Sequence, residues 1–465
     1  MKLPPAPSLA LCGACLLAGA LPFRAAAESA DPADQIHAAL PVIPDAQFKL
    51  TDYGAVGDGK TMNTDAIKRA IAAVAQAGGG HLEVPPGVYK TLRFSLVSKL
   101  DLHLDAGATI KFPEKLEEYG IPDPNKPQPA AEGGRRRGFV RPQALISGDN
   151  LSDVAITGSG TIDGSGQMFW QWSDKAARRY PPGRTVVARP MLVVLSHLQR
   201  LHIQGILLTN SPMFHLLLSG DDMTIEGIRV EAPSDAPNTD AIDPAGHRII
   251  VRNCEIDTGD DHVALHAGSS DMLVENLTCL HGHGISVGSG TRGGLSHVYV
   301  RNCTFDWADN GLRIKSYRGG GGEVHDIHYS NITMKNVRRP FDINTRYDGN
   351  DGLATDVGPR EAKPGQTKDI PNFHDIHVDH LTVVNSPIAG RIIGLPEQPA
   401  ADITFTDVKI QSAKGFLVQD AKNVTFRNVE IDAAVGEPLV TSNASVNWNG
   451  KSLPADQGGD PERFY

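Results

Sequence analysis

Asp271-Met-Leu-Val-Glu-Asn-Leu-Thr-Cys-Leu280 is followed, one period on, by His297-Val-Tyr-Val-Arg-Asn-Cys-Thr-Phe-Asp306. Both carry apolar residues in the pattern Asp/His-φ-x-φ-x-x-φ-x-φ. Working outward from this pair, the unit recurs ten times, starting at Asp153, Arg200, Asp222, His247, Asp271, His297, Asp326, Asp375, Asp402 and Asn423. From Arg200 to Asp326 the starts keep a period in the twenties, whereas the flanking intervals, Asp153 to Arg200 and Asp326 to Asp375, are about twice as long and hold insertions. Alternation two by two within such a period leaves room for about three short strands per unit. That excludes a helical repeat and a four-stranded blade. Stacked coils fit, each burying its inward residues against the coils above and below at about 4.8 Å. The expected fold is therefore all-β: a single-stranded right-handed parallel β-helix of about ten coils.

Other features agree. The 465 residues include 48 Gly but only 6% aromatics, the balance of many short strands joined by tight turns. Thr64–Ala77 has helical periodicity, with Thr64 as its N-cap and Gly78-Gly79-Gly80 as its stop, and is expected to cap the open N-terminal coil. Pro113–Arg141, Ser165–Pro190 and Tyr347–Asn372 break the period and read as loops bordering a groove. No linker marks a second domain.

Residues 1–27 read as a secretion signal: Lys2, an apolar stretch Leu9–Leu21, and Ala25-Ala26-Ala27 for cleavage. The apolar stretch is shorter than the roughly 20 residues needed to span a bilayer. The expected mature product, 28–465, is one β-helix catalytic domain, secreted to the extracellular space or periplasm and monomeric, with no membrane partner. Cys12 and Cys15 leave with the signal. The remaining Cys254, Cys279 and Cys303 recur one period apart, too few for a disulfide framework and in phase for an inward stack. Loss of Lys2 and Arg24 takes the formal charge from -10 to about -12, which argues against a nucleic-acid partner.

One phase of the repeats carries chemistry rather than packing. Asn238-Thr239-Asp240 is followed by Asp260-Asp261, by Gly282-His283-Gly284, and by Arg313-Ile314-Lys315. Similar offsets from four successive unit starts put Asp240, Asp261, His283 and Arg313 on one face. Glycosidic hydrolysis needs a proton donor and a carboxylate that activates water or attacks the sugar. Clustered carboxylates raise the pKa of one member, so acid and base can coexist. Arg313 and Lys315 point the same way in a strand and suit a uronic acid carboxylate. No cofactor or metal is expected.

This constellation resembles the polygalacturonases of glycoside hydrolase family 28, whose motifs read Asn-Thr-Asp, Asp-Asp, Gly-His-Gly and Arg-Ile-Lys in that order. Tyr53-Gly-Ala-Val-Gly-Asp-Gly59 is similar to the family's N-terminal cap. The resemblance implies hydrolysis of α-1,4-galacturonosidic bonds in polygalacturonic acid, a pectic polysaccharide, by inversion. It implies Asp260 as general acid, Asp240 and Asp261 as the joint base for water, and His283 as the residue tuning the acid. It also implies Arg313 and Lys315 as carboxylate binders and Tyr347 as an aromatic against a bound sugar. Ala241, His266 and Gly290 stand where many members have Gly, Lys and an acidic residue, which touches substrate detail rather than hydrolysis. Rhamnogalacturonan or xylogalacturonan hydrolysis, and a calcium-dependent pectate lyase on the same fold, are the alternatives. A carbohydrate-binding or adhesive β-helix is the non-enzymatic one.

Overall fold

The structure, a computed structural model, describes residues 1, 31–121, 144–171, 187–348, 357–361, 368–457 and 464. The expected signal, apart from Met1, lies outside the described residues, as do parts of the three period-breaking segments. Residues 1–35 and 36–465 are two compact units. In the first, Pro32–Gln35 is a 3-10 turn. The second is a right-handed parallel β-helix.

Its regularity shows in one inward ladder. Phe48, Leu82, Leu102, Ile156, Ile203, Ile225, Val251, Val274, Val300, Tyr329, Val378 and Phe405 pair in succession, each in parallel register with the next. The first three members lie upstream of the first recognised repeat. Coils therefore begin near Gln47, in a stretch whose apolar alternation lacks the Asp/His signature. Among the described residues, antiparallel pairing occurs only at Lys451–Ser452 and at the Tyr347–Val357 bridge.

The signature residue proves to be a corner. Asp153, Arg200, Asp222, Asp271, His297, Asp326, Asp375, Asp402 and Asn423 all have φ between 52° and 62°. Asp and Asn tolerate this left-handed conformation better than other residues with a Cβ, because their short polar side chains bond locally. In the fourth unit the corner is Arg248 (φ 58°), not His247, as the pairing of Ile249 with Met272 requires. A second set of corners uses Asn253, Asn276, Asn302 and Asn331 (φ 54–57°). Their amides bond from coil to coil: Asn276 Nδ2 donates to Asn253 Oδ1 at 3.1 Å, and Asn331 Nδ2 to Asn302 Oδ1 at 3.3 Å.

Cys254, Cys279 and Cys303 are free, buried thiols in the core. Burial pushes Cys254 up to about 11 and Cys303 up to about 12, so they stay protonated and inert. They do not share one rung. Cys254 and Cys303 align through Leu277, whereas Cys279 pairs with Ile256 and Phe305 one inward position further on. Unequal turn lengths shift the phase by two positions while keeping the side chain inward.

The capping helix α1 spans Thr64–Gln76 and buries Ala66, Ile67, Ala70, Ile71 and Val74 on one face. Asn63, not Thr64, precedes it as N-cap, and neither side chain caps it. Asn63 Oδ1 instead accepts from Val56 N at 2.7 Å, and Thr64 Oγ1 accepts from Leu92 N at 2.8 Å, so both side chains tie the helix to the chain around it. Gly78 (φ 86°) ends it as expected. In the expected loops, Leu116–Tyr119 forms a 3-10 turn and Gln167–Trp170 a single helical turn.

Close coil contact makes one glycine obligatory. Gly246 (φ 129°) pairs with Gly220, and a Cβ on it would stand 1.7 Å from the Gly220 carbonyl oxygen. Gly246→Ala is expected to cost more than about 2 kcal/mol through strain and clash. The midpoint of denaturant unfolding measures this, and an unchanged midpoint would show that these coils separate freely.

Candidate active site

One wall of the solenoid carries the site. Ile242, Val263, Ile285, Leu312 and Phe341 are paired core residues on successive coils. Counting back two positions from the first four gives Asp240, Asp261, His283 and Asn310, and counting back three from Val263 and Leu312 gives Asp260 and Asp309. Asp240, Asp261 and His283 thus share a rung, as the motif spacing suggests. Arg313 does not. It lies one residue beyond Leu312, on the outward ladder Ala264–Ser286–Arg313–Asp342.

The backbone beneath is locked. Gly259 N donates to Thr239 Oγ1 at 2.9 Å, and Thr239 Oγ1 donates to Ala236 O at 2.9 Å. A Cβ on Gly259 would meet Ala236 O at 2.2 Å, so only glycine lets the Asp260-Asp261 turn approach the Asp240 turn. His215 is fully buried, donates from Nδ1 to the Asp240 carbonyl at 3.1 Å and accepts from Ser211 N at 3.4 Å. His262 does the same two coils on, accepting from Gly284 N at 3.0 Å and donating from Nε2 to His281 O at 3.0 Å. Burial pushes both imidazoles down to about 4, so they are neutral struts.

The three carboxylates occupy different environments. Asp261 is clamped by cations: Oδ1 accepts from Arg313 Nη2 at 2.5 Å and Ser286 Oγ at 2.8 Å, and Oδ2 from Lys315 Nζ at 3.2 Å. Asp260 Oδ1 meets His283 Nδ1 at 2.9 Å and accepts from Asp261 N at 3.0 Å, while Oδ2 accepts from Asn238 Nδ2 at 3.4 Å. Asp240 has no such clamp, and its Oδ1 is buried without a hydrogen-bond partner. Burial first, then the charges of Asp260, Asp243 and Asp261, raise the Asp240 pKa well above the usual range, and Lys315 offsets only part of this. For His283, burial acts downward, but the charge and hydrogen bond of Asp260, with Asp309 beyond, lift it to about 9. Asp243 is pushed up to about 6 by burial, against its bond from His266 Nε2 at 3.1 Å.

Arg313 is 1% exposed and also donates from Nε to Ser286 Oγ at 3.0 Å, so its guanidinium faces Asp261 and Ser286. Lys315 Nζ lies 5.4 Å from the centroid of the Tyr347 ring, which brings Tyr347 into the group. Asp260, Asp261 and His283 each bring one donor atom within 4.8 Å of the others, a spacing that could admit a cation. Among these residues Asp260 already meets His283, and Asp261 already accepts from Arg313 and Lys315.

Sequence reasoning did not single out Ser286, Asn238 or Asp309. Asn238 was visible as the first residue of Asn-Thr-Asp, and Asp309 immediately precedes Asn310-Gly311-Leu312. Arg189 is recognisable only in three dimensions. From within the period-breaking segment Ser165–Pro190, it donates to Asn238 Oδ1 at 2.7 Å and Pro237 O at 2.6 Å, fixing which way the Asn238 amide points.

A solenoid wall bearing several carboxylates and an imidazole holds the groups that acid/base cleavage of a glycosidic bond requires. The chain matches the profile of "Glycosyl hydrolases family 28" over residues 129–412. It is 31% identical over 383 residues to a "Probable polygalacturonase" of Vitis vinifera, covering 78% of this chain and 74% of that protein. It is 33% identical over 309 residues to a "Polygalacturonase" of Chamaecyparis obtusa, covering 64% of this chain and 56% of that protein. The solved hyperthermoactive exopolygalacturonase from Thermotoga maritima superposes with a TM-score of 0.66 at 26% identity, covering 91% of this chain and 96% of that one. The chain is a glycoside hydrolase and belongs to family 28. Among the described residues, no helix is long and apolar enough to cross a membrane.

Proposed function

We propose that the chain hydrolyses α-1,4-galacturonosidic bonds of polygalacturonic acid with inversion. The observation that carries the mechanism is the unequal treatment of adjacent carboxylates: Asp261 is held between Arg313 and Lys315, while Asp260 shares its oxygen with His283. Asp260 donates its proton to the leaving glycosidic oxygen and draws it through His283. Asp261, paired with Arg313 and Lys315, takes a proton from the attacking water, which Asp240 helps to hold with its unpartnered oxygen. Lys315, over the Tyr347 ring, meets the carboxylate of the bound sugar, with Arg313 behind it. The relatives named polygalacturonase support the choice of substrate.

Inversion does not follow from spacing alone, because the nearest oxygens of Asp260 and Asp261 lie within 4.8 Å, shorter than the roughly 6.5–9.5 Å usual for inverting pairs. It rests on a water held jointly by Asp240 and Asp261. NMR of the first-formed reducing end is expected to show the β-anomer, and an α-anomer would assign a covalent intermediate instead. EDTA should leave the rate unchanged, with saturated products. Loss of activity on chelation together with an unsaturated, ultraviolet-absorbing product would point to a calcium-dependent lyase. The proposal includes export, with residues 1–27 as the signal and residues 28–465 as a monomeric catalytic unit.

A further inference from the structure

We propose that Asp309 is a positioning residue for the proton donor: by holding the outer nitrogen of His283, it keeps one proton on the line between His283 Nδ1 and Asp260. This rests on the reading of Asp260 as the acid. The His283 side chain is 10% exposed and is bracketed from two coils. Asp260 Oδ1 stands 2.9 Å from Nδ1, and Asp309 Oδ2 stands 3.5 Å from Nε2 on the opposite side of the ring. Backbone bonds set this arrangement: His283 N donates to Asp260 O at 2.8 Å, and Asp309 N donates to Gly282 O at 2.7 Å. Gly282, between Asp260 and Asp309 on their rung, has no side chain to intrude.

A neutral imidazole carries one N–H, and the partner of one nitrogen decides what the other can do. With an acceptor-only carboxylate at Nε2, that hydrogen is drawn to Nε2. Nδ1 is then left to receive the Asp260 proton or return it. Without Asp309 the second proton of the pair leaves to solvent at lower pH, and the Nδ1–H form that remains, bonded to an ionised Asp260, has no proton to transfer. Donation to the leaving oxygen moves one proton from Asp260 to that oxygen, and the pair regains it from the solvent proton released through the base.

The surrounding charges favour this arrangement. On the Asp260 side stand Asp261, committed to Arg313 and Lys315, and His262, which is neutral. From the following strand Arg313 acts against protonation of His283, and from the coil beyond, Arg338 and Arg339 help keep Asp309 ionised.

The test is kcat/KM against pH for the wild type, Asp309→Asn, Asp309→Ala and Asp309→Glu. Removing the charge is expected to move the alkaline limb down by about half to one pH unit, with KM within about twofold and the Glu variant restoring the limb. A limb that stays in place while activity falls equally at every pH would reduce Asp309 to a structural role and overturn the proposal. A second readout needs no substrate: the 15N-imidazole titration of His283, assigned by difference against His283→Gln. It should fall by a similar amount in Asp309→Asn, and an unchanged titration also overturns the proposal. If no pectic backbone is turned over by the wild type, the substrate reading fails while this second measurement still decides Asp309.

Discussion

Asp260→Asn should lower kcat on polygalacturonic acid by about two to four orders of magnitude and leave KM within a few-fold. The amide keeps the shape of the carboxyl and its bond from Asp261 N, so the backbone and the groove persist. What disappears is the proton shared with His283 across 2.9 Å. Loss of an acid is distinguishable from loss of a base. An oligogalacturonide bearing an acidic phenol as leaving group needs no protonation, so it should restore much of the rate to Asp260→Asn and little to Asp261→Asn. Asp240 supplies the necessary control, because its raised pKa makes it the other carboxyl that could carry a proton. Rescue of Asp240→Asn rather than Asp260→Asn would exchange their roles. Unchanged turnover in Asp260→Asn would leave the site without its acid and sink the mechanism.

The second large effect concerns stability. Beyond Arg313 the outward ladder continues through Asp342 to Arg391, and both are buried. Arg391 forks onto Asp342 with Nε–Oδ1 at 2.7 Å and Nη2–Oδ2 at 2.8 Å, at 0% and 1% side-chain exposure. Burial pushes Asp342 upward, but the charge and fork of Arg391, helped by Arg339 and Arg313, more than offset this and hold it below the usual carboxylate range. A depressed folded pKa means that the contribution is present above the unfolded pKa and is lost as pH falls through the folded one. Asp342→Ala strands a buried guanidinium and is expected to cost about 3–5 kcal/mol at neutral pH. Replacing both partners by apolar residues of similar size should recover most of that. Denaturant midpoints of the single and double variants decide it, and equal losses in both would show that packing rather than charge is at stake. Activity should fall as well in Asp342→Ala, because Asp342 is the next charge along from the guanidinium that clamps Asp261.

Much of the site was legible because it carries residues unusual for a coil at repeat spacing. Asp240, Asp260, Asp261 and His283 stand where a purely structural coil would have no use for a run of buried charge. Arg313 was read from its near neighbour Lys315 as part of an outward cationic pair. Its side chain, however, lies against Asp261 and Ser286, two coils and one coil earlier, and no local pattern records that. Asp309 carries no signal of its own in the sequence, since its relation to His283 exists only once two coils stack.

The sequence by itself determined the coil. A two-residue alternation interrupted by Asp or Asn corners is local information, because the inward periodicity and the left-handed φ are properties of a few consecutive residues. Only the tertiary structure decided which coil begins the solenoid, why Cys279 leaves the rung of Cys254 and Cys303, and which cation holds which carboxylate. These depend on register between strands a full coil apart in the chain. Register is the running total of every turn length before it, so a slightly longer turn changes which side chains meet.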